Sequence, residues 1–250
     1  MRALTGELLL RAWDQGLNQH PVHQGFVMLA LALPEGSLEQ IADLSLAENN
    51  LLLLQLHAVS FGPTLEAFAT CSTCSAHLEV HLPVEELIDH QHAATRSGPE
   101  EWTENGRLFC LRPLTSNDLL ASLDAATSAE AEHLILKRCI RVLPQLDGSF
   151  VEMEEDQEDP PLPSPASLME RFERVNQAAE LSCTVKCVEC SSRSTLDLNL
   201  AQFLFRLVER GAKRLLREIH DMAWAYGWSE EAILRMSAKR RSAYLEMLSA

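Results

Sequence analysis

The sequence predicts an α+β fold that is mainly α-helical, with helical arms around a small split β element. Two Cys-x-x-Cys motifs, Cys71 with Cys74 and Cys187 with Cys190, are each followed by residues that alternate between apolar and polar. Such alternation is typical of a strand with one buried face. Each predicted strand leads into apolar residues at helical spacing, so the order motif, strand, helix occurs twice. Most of the remaining chain also has helical spacing.

The four motif cysteines are the candidate metal ligands. Two thiolates three positions apart on a tight turn can face one tetrahedral cation, and two such turns supply the four sulfurs that a structural zinc prefers. We therefore predict a split zinc ribbon that joins the front of the chain to its back. The predicted ligands of this structural Zn²⁺ are Cys71, Cys74, Cys187 and Cys190.

The long separation of the two motifs leaves two other interpretations open. It is far beyond the usual spacing of a compact zinc module, so the motifs could be two unrelated turns without a metal. A thioredoxin-like redox pair is the other interpretation, although neither motif opens a helix after a strand as such a pair does. Four thiolates on one ion would leave no open coordination position, which argues against catalytic zinc.

Composition limits the class of protein. A hydrophobic content of 46 % in 250 residues is enough for a real core. The longest apolar run, residues 26–33, ends at Pro34 and is less than half a membrane span. The N-terminus lacks the pattern of a secretory signal, and seven cysteines, an odd number, fit a reducing cytosol. We expect a cytoplasmic protein with no membrane partner.

Breaks in the pattern divide the chain. Gly62 and Pro63 end a helical region, because glycine permits the turn and proline forbids continuation. Residues 152–159 hold six acidic side chains and precede a group of prolines, so this segment cannot bury enough apolar surface to order itself. The predicted divisions are an N-terminal helical domain (1–63), a split zinc ribbon (64–92 and 179–200), an inserted strand with helices (105–143), an acidic, proline-rich linker (144–165) and a C-terminal helical domain (201–250).

Start and stop signals place the first helices. A helix over residues 4–15 is expected to stop at Gly16, and Pro21 suits the first turn of a second helix. Ser37 and Ser45 each begin a capping-box pattern and so predict two further helices.

The middle of the chain is predicted to hold one strand and two helices. Residues 93–105 have the composition of a polar loop, and residues 107–112 alternate as a strand does. Thr115 and Thr127 are predicted to begin helices, the second of which continues to Val142 at helical spacing.

The last fifty residues form the only basic part of an acidic chain. They carry 9 basic and 6 acidic side chains, whereas residues 1–200 carry 12 and 30, and the net charge is −15. Two apolar stripes precede Gly227, which ends a helix, and Ser229 and Ser237 begin two more. Aromatic and arginine side chains are the usual anchors of interfaces, although these aromatics could instead pack the tail helices together. The predicted partner-binding residues are Trp224, Tyr226, Trp228, Arg235, Arg240, Arg241 and Tyr244.

Several segments resemble one known family. They are residues 218–234 and 240–245 in the tail, residues 61–63, residues 112–120 and the two cysteine motifs. In these residues the chain is similar to baseplate proteins of contractile phage tails and phage-tail-like injection systems, in particular baseplate hub assembly proteins or chaperones. The chain differs where relatives tend to have charged residues, at Asn49, Asn50, Gln55 and His57.

The resemblance implies an accessory role in tail assembly and no catalysis. The implied partners are hub or spike proteins of a baseplate, and the implied location is the cytoplasm of the producing bacterium. Retention in the finished tail particle and homo-oligomerisation both stay open.

The two other classes of function are a nucleic-acid-binding regulator and an enzyme. The helix, Gly227 turn and helix of the tail could form a helix-turn-helix in a zinc-ribbon regulator. The acidity of residues 1–200 would repel nucleic acid, so we do not expect that partner. The sequence also lacks a glycine-rich phosphate loop, a nucleophile elbow and a paired His and Glu on one helix face. We therefore predict that the protein is not an enzyme.

Overall fold

The computed structural model describes residues 1–34, 38–95, 98–143 and 163–248. It is 58 % helix and 18 % strand, which confirms the predicted α+β, mainly helical fold class. The helices are α1 (Glu7–Gly16), α2 (Pro21–Ala32), α3 (Leu38–Ala42), α4 (Leu46–Phe61), α5 (Val84–Ala94), α6 (Ser116–Ser122), α7 (Ser128–Cys139), α8 (Pro165–Asn176), α9 (Leu200–Tyr226), α10 (Glu230–Leu234) and α11 (Ala238–Leu248).

The strands form small antiparallel sheets. The first and last sheets are two-stranded hairpins, β1 with β2 and β6 with β7, and the middle sheet has the order β3-β4-β5. The tips of the hairpins are the pairs Thr70↔His77 and Lys186↔Arg193, so each cysteine motif forms the turn of its hairpin. The strands are β1 (Thr64–Thr70), β2 (His77–Pro83), β3 (Glu100–Glu104), β4 (Arg107–Leu111), β5 (Ile140–Leu143), β6 (Ser182–Lys186) and β7 (Arg193–Asp197).

Helix boundaries follow most of the predicted signals. The Ser45 hydroxyl accepts a hydrogen bond from the Glu48 backbone N–H at 3.2 Å, and the Glu48 carboxylate accepts one from the Ser45 N–H at 2.8 Å. These two bonds are the capping box that starts α4. Gly227 has φ 67° and ends α9 in the left-handed conformation, as predicted. The capping box predicted at Ser37 lies outside the described residues.

The sequence did not predict two of the strands, β3 and β5. Where a polar loop was expected, β3 pairs with β4, and Trp102 of β3 is buried with its ring 5.4 Å from that of Phe109. One apolar side chain among charged neighbours was too weak a signal for a strand. The helix expected to reach Val142 ends at Cys139, and Val142 instead lies in β5 opposite Phe109.

Helix α1 ends at Gly16, as predicted, and the next residue, Leu17, is extended. A Cβ atom at this position would lie 2.3 Å from the ring of Phe205 in α9. The absence of a side chain therefore allows α1 to approach α9 closely.

The tail begins with a single long helix. The two apolar stripes predicted before Gly227 belong to the 27-residue helix α9, which packs against α1, α2 and α4. Its buried side chains join those of the first 63 residues in one hydrophobic cluster, so the predicted N-terminal and C-terminal helical domains share a core. The α9 residues in this core include Leu204, Val208, Ala212, Leu215, Ile219 and Met222.

A second hydrophobic cluster covers the middle sheet. Leu168 and Val175 of α8 are buried against it, together with Cys139 at the end of α7. Of the predicted linker, residues 144–162 lie outside the described part of the chain, whereas α8 already begins at Pro165. Among the described helices, none has the length and apolar content that crossing a membrane requires.

Candidate metal centre

The structure brings the four motif cysteines together. Their Sγ atoms all lie within 4.8 Å of one another, with 3.7 Å between Cys71 and Cys190 and 3.6 Å between Cys74 and Cys187. A tetrahedral ion with metal–sulfur bonds of about 2.3 Å holds its sulfurs about 3.8 Å apart. The four cysteines can therefore bind one metal ion. Each of the two short distances joins a sulfur of the first hairpin to a sulfur of the second.

The two turns have the same backbone geometry. In the first, the carbonyl of Cys71 accepts from the N–H of Ser75 at 2.9 Å, and in the second the carbonyl of Cys187 accepts from the N–H of Ser191 at 3.0 Å. Both serines are left-handed, with φ of 59° and 61°. The shared geometry matches the sequence, because both motifs continue as Cys-x-x-Cys-Ser.

Each turn has one buried and one exposed cysteine. Cys71 and Cys187 have 1 % of their surface accessible, whereas Cys74 and Cys190 are exposed. Below the sulfurs, the hairpins bury a small apolar cluster that includes Leu78 and Val80 of β2. The first cysteine of each motif is thus fixed by packing, and the second closes the site toward solvent.

Ser192 adds a polar contact that the sequence reading missed. Its hydroxyl lies 3.3 Å from the Cys71 sulfur and 3.0 Å from the Cys190 sulfur. This hydrogen bond is the main reason that the pKa of Cys71 falls to about 5, with smaller contributions from the backbone N–H groups of Cys74 and Thr73. The pKa of Cys190 is also lowered, again chiefly by Ser192. The Cys71 thiolate is therefore favoured at neutral pH, and the same hydroxyl stabilises the Cys190 thiolate.

The position of Cys74 makes its ionisation unfavourable without a cation. The backbone N–H of Ala76 favours the Cys74 thiolate, but the hydrogen bonds with Cys190, Cys187 and Cys71, together with burial, raise the pKa of Cys74 to about 12. Like charges within hydrogen-bonding distance oppose each other's ionisation. A bound divalent cation would remove this conflict, because it stabilises thiolates.

Other candidate ligands stay apart from this site. His77 and His81 are exposed on β2, and His90 and His92 are exposed on α5 rather than in a loop. Among the described residues, the four cysteines are the one group of three or more Cys, His, Asp or Glu side chains arranged to hold a metal.

The predicted partner-binding residues separate into exposed and packed side chains. Trp224 is 86 % exposed at the end of α9. In contrast, the rings of Tyr226 and Trp228 stack at 4.6 Å, and both contact Tyr244 of α11. These three aromatics join α9 to α11, as the packing alternative expected.

The arginines of this set also differ. Arg241 is 7 % exposed, pairs with Glu218 at 3.1 Å and donates to the carbonyl of Met236, so it joins the tail helices. Arg235 and Arg240 are exposed; Arg235 pairs with Glu231 in its own helix, and Arg240 lies 5.7 Å from the Tyr244 ring. Of the seven predicted residues, Trp224, Arg235 and Arg240 are exposed, whereas the three packed aromatics are partly buried.

Fold and site together define an α+β, mainly helical protein with a candidate metal site of four cysteines. Comparison with protein-family models, with curated proteins and with solved structures yields no match to this chain.

Proposed function

We propose that the four cysteines bind a structural Zn²⁺. The closeness of the four sulfurs, all within 4.8 Å of one another, supports this proposal, because a four-thiolate site suits zinc or iron and is closed to substrate. Zinc needs no electron-transfer partner, and a closed site fits a role in holding the two hairpins together. Bound zinc would balance the charge of the thiolates that Ser192 favours.

Metal analysis of the full chain tests the identity of the ion. We expect about one zinc per chain and a severe loss of stability for Cys187→Ser, since structural zinc contributes on the order of 10 kcal/mol to small modules. Cys183→Ser is the matched control, because Cys183 lies on the adjacent strand outside the cluster. A coloured protein that contains iron, or a fully folded chain without metal, would contradict the proposal.

We also propose that the protein is a non-enzymatic assembly factor or structural component of a contractile-tail baseplate, which binds hub or spike subunits. The resemblance of residues 218–234 and 240–245 supports this role, and a closed thiolate site is consistent with it. The observation on which partner binding depends is the exposure of Trp224. Exposure of an indole to water is energetically unfavourable, and indoles are frequent anchors of protein interfaces.

Co-purification from the producing cell tests the baseplate proposal. We expect hub or spike proteins to be retained by the wild-type chain, and Trp224→Ala to weaken that retention by about 30-fold, the effect of a strong interface anchor. Val188→Ala is the control, because Val188 is equally exposed on the metal-binding turn. Retention of the same subunits by Trp224→Ala would exclude this tryptophan as the anchor, and steep salt-dependent binding to heparin would favour the nucleic-acid regulator.

A further inference from the structure

A groove of about 670 Å³ lies between β1, the end of α4 and the first half of α9. His57, Phe61 and Phe203 line its apolar part, with the His57 ring 6.1 Å from that of Phe203. Burial lowers the pKa of His57, so this imidazole is neutral at physiological pH. Phe68 of β1 also lines the groove and is 75 % exposed. The groove is separate from the tail surface, because Arg210 and Trp224 are 14 residues apart on α9, or about 21 Å.

One edge of β1 opens into this groove. Among the described strands, β1 pairs only with β2. At the hairpin tip the N–H of Cys71 bonds to the carbonyl of Ala76, and at its base the N–H of Val84 bonds to the carbonyl of Pro63. Antiparallel strands alternate bonded and non-bonded pairs, so odd-numbered β1 residues bond to β2. The even-numbered residues, whose backbone groups face away from β2, are Thr64, Glu66, Phe68 and Thr70.

The groove-facing groups identify the kind of occupant. Three of the four even-numbered β1 residues line the groove, and unpaired backbone groups of an edge strand are a template for another strand. An extended peptide would satisfy these groups and would cover the exposed ring of Phe68.

The opposite wall of the groove is positively charged. Arg206 and Arg210 lie one turn apart on α9, are exposed, and form no ion pair with another described residue. Their acidic neighbour Glu209 is neutralised by Lys213 at 2.6 Å. The other acidic lining residues are Glu66 on β1 and Asp197 at the end of β7, and neither belongs to α9. A strand on β1 would therefore meet two uncompensated guanidinium groups on its α9 side.

We propose that this groove binds an extended acidic peptide segment of a partner protein. The segment pairs with the free edge of β1 as a third strand and directs carboxylates toward Arg206 and Arg210. This proposal does not depend on the baseplate role or on Trp224.

A phage-displayed library of random nonapeptides, selected on the full wild-type chain, tests the proposal. We expect enriched peptides to carry Asp or Glu at alternating positions. The double variant Arg206→Glu, Arg210→Glu should bind a selected peptide about tenfold more weakly, because two attractive surface charge pairs become repulsive. Bound peptide should also slow amide hydrogen exchange at Glu66 and Phe68, whose N–H groups become hydrogen-bonded.

Two proline substitutions test the strand edge. Phe68→Pro removes a groove-facing N–H and should abolish binding, with Phe68→Ala separating the loss of the ring from the loss of the donor. Glu79→Pro is the matched control, because Glu79 pairs with Phe68 and directs its N–H to the far edge of the hairpin. Circular dichroism verifies that each variant is folded.

Three results would overturn the proposal. They are a selection without enrichment or with basic peptides, peptide binding without slower exchange at Glu66 and Phe68, and dimerisation of the wild-type chain that Phe68→Pro abolishes. The last result would assign the groove to a second copy of this chain.

Discussion

Asp118 is fully buried at the start of α6 and is held by two arginines. Its carboxylate accepts two hydrogen bonds from Arg112, at 2.6 and 2.8 Å, and one from Arg138 at 2.9 Å. The backbone N–H of Thr115 donates a further bond at 3.0 Å. Burial alone would raise the pKa of Asp118, but the bonds from Arg112 and Thr115 outweigh burial and hold it well below its usual range. This single side chain joins β4, α6 and α7.

Asp118→Asn should therefore destabilise the protein by about 2–3 kcal/mol, because the partly buried Arg112 and the exposed Arg138 both lose their charged partner. Chemical denaturation at pH 7 measures this difference. The native pKa of Asp118 is depressed, so its stabilising effect is present above the unfolded pKa of about 4 and is lost as the pH falls below that value. The difference in unfolding free energy between wild type and variant should consequently narrow at pH 3.

The control for this residue is Asp124→Asn, since Asp124 is exposed after α6. That variant should match the wild type within about 0.5 kcal/mol at both pH values. An Asp118→Asn protein as stable as the wild type at pH 7 would show that the arginines do not depend on the carboxylate.

At the scale of helices, the contact between α1 and α9 depends on Gly16. Gly16→Ala should destabilise the protein by about 1–3 kcal/mol, because a new methyl group would overlap the buried ring of Phe205. Gly211→Ala is a matched control within α9, where the added Cβ would meet only the flexible end of Leu9 at 3.1 Å. Thermal unfolding of both variants measures the contrast, and equal melting temperatures would contradict it.

The sequence predicted the elements that are set by neighbouring residues and missed those that are set by pairing between distant segments. The hairpins were predictable because a Cys-x-x-Cys turn and alternating residues are local signals. Trp102 in β3 and Val142 in β5 take their places from pairing with β4, which no local pattern encodes.

At the candidate metal site the sequence identified the four clustered cysteines but not Ser192, whose contact with Cys71 depends on the approach of the second hairpin to the first. In the tail, residue type alone predicted both Trp224 and Arg241 as partner-binding residues. Only packing separates the exposed indole from the buried guanidinium.

In the whole molecule, two connections besides the packing of α8 on the middle sheet join the front of the chain to its back. The first is the cysteine cluster, which brings the β1–β2 turn to the β6–β7 turn. The second is the apolar core in which α9 packs on α1, α2 and α4. Both connections are formed among described residues on either side of residues 144–162, so we expect that chain continuity through that segment is not required for the two halves to associate.

Co-expression of residues 1–150 with residues 160–250 should therefore give a stable complex of the two fragments. Each fragment alone would expose one side of the α9 core and only two of the four cysteines, and we expect it to aggregate. Size-exclusion chromatography and metal analysis of the co-expressed pair measure both connections at once. If Leu204→Asp in α9 prevents association while a metal chelator does not, the apolar core is the stronger connection, and the reverse result would assign that role to the metal. Fragments that fold separately and do not associate would contradict this description of the molecule.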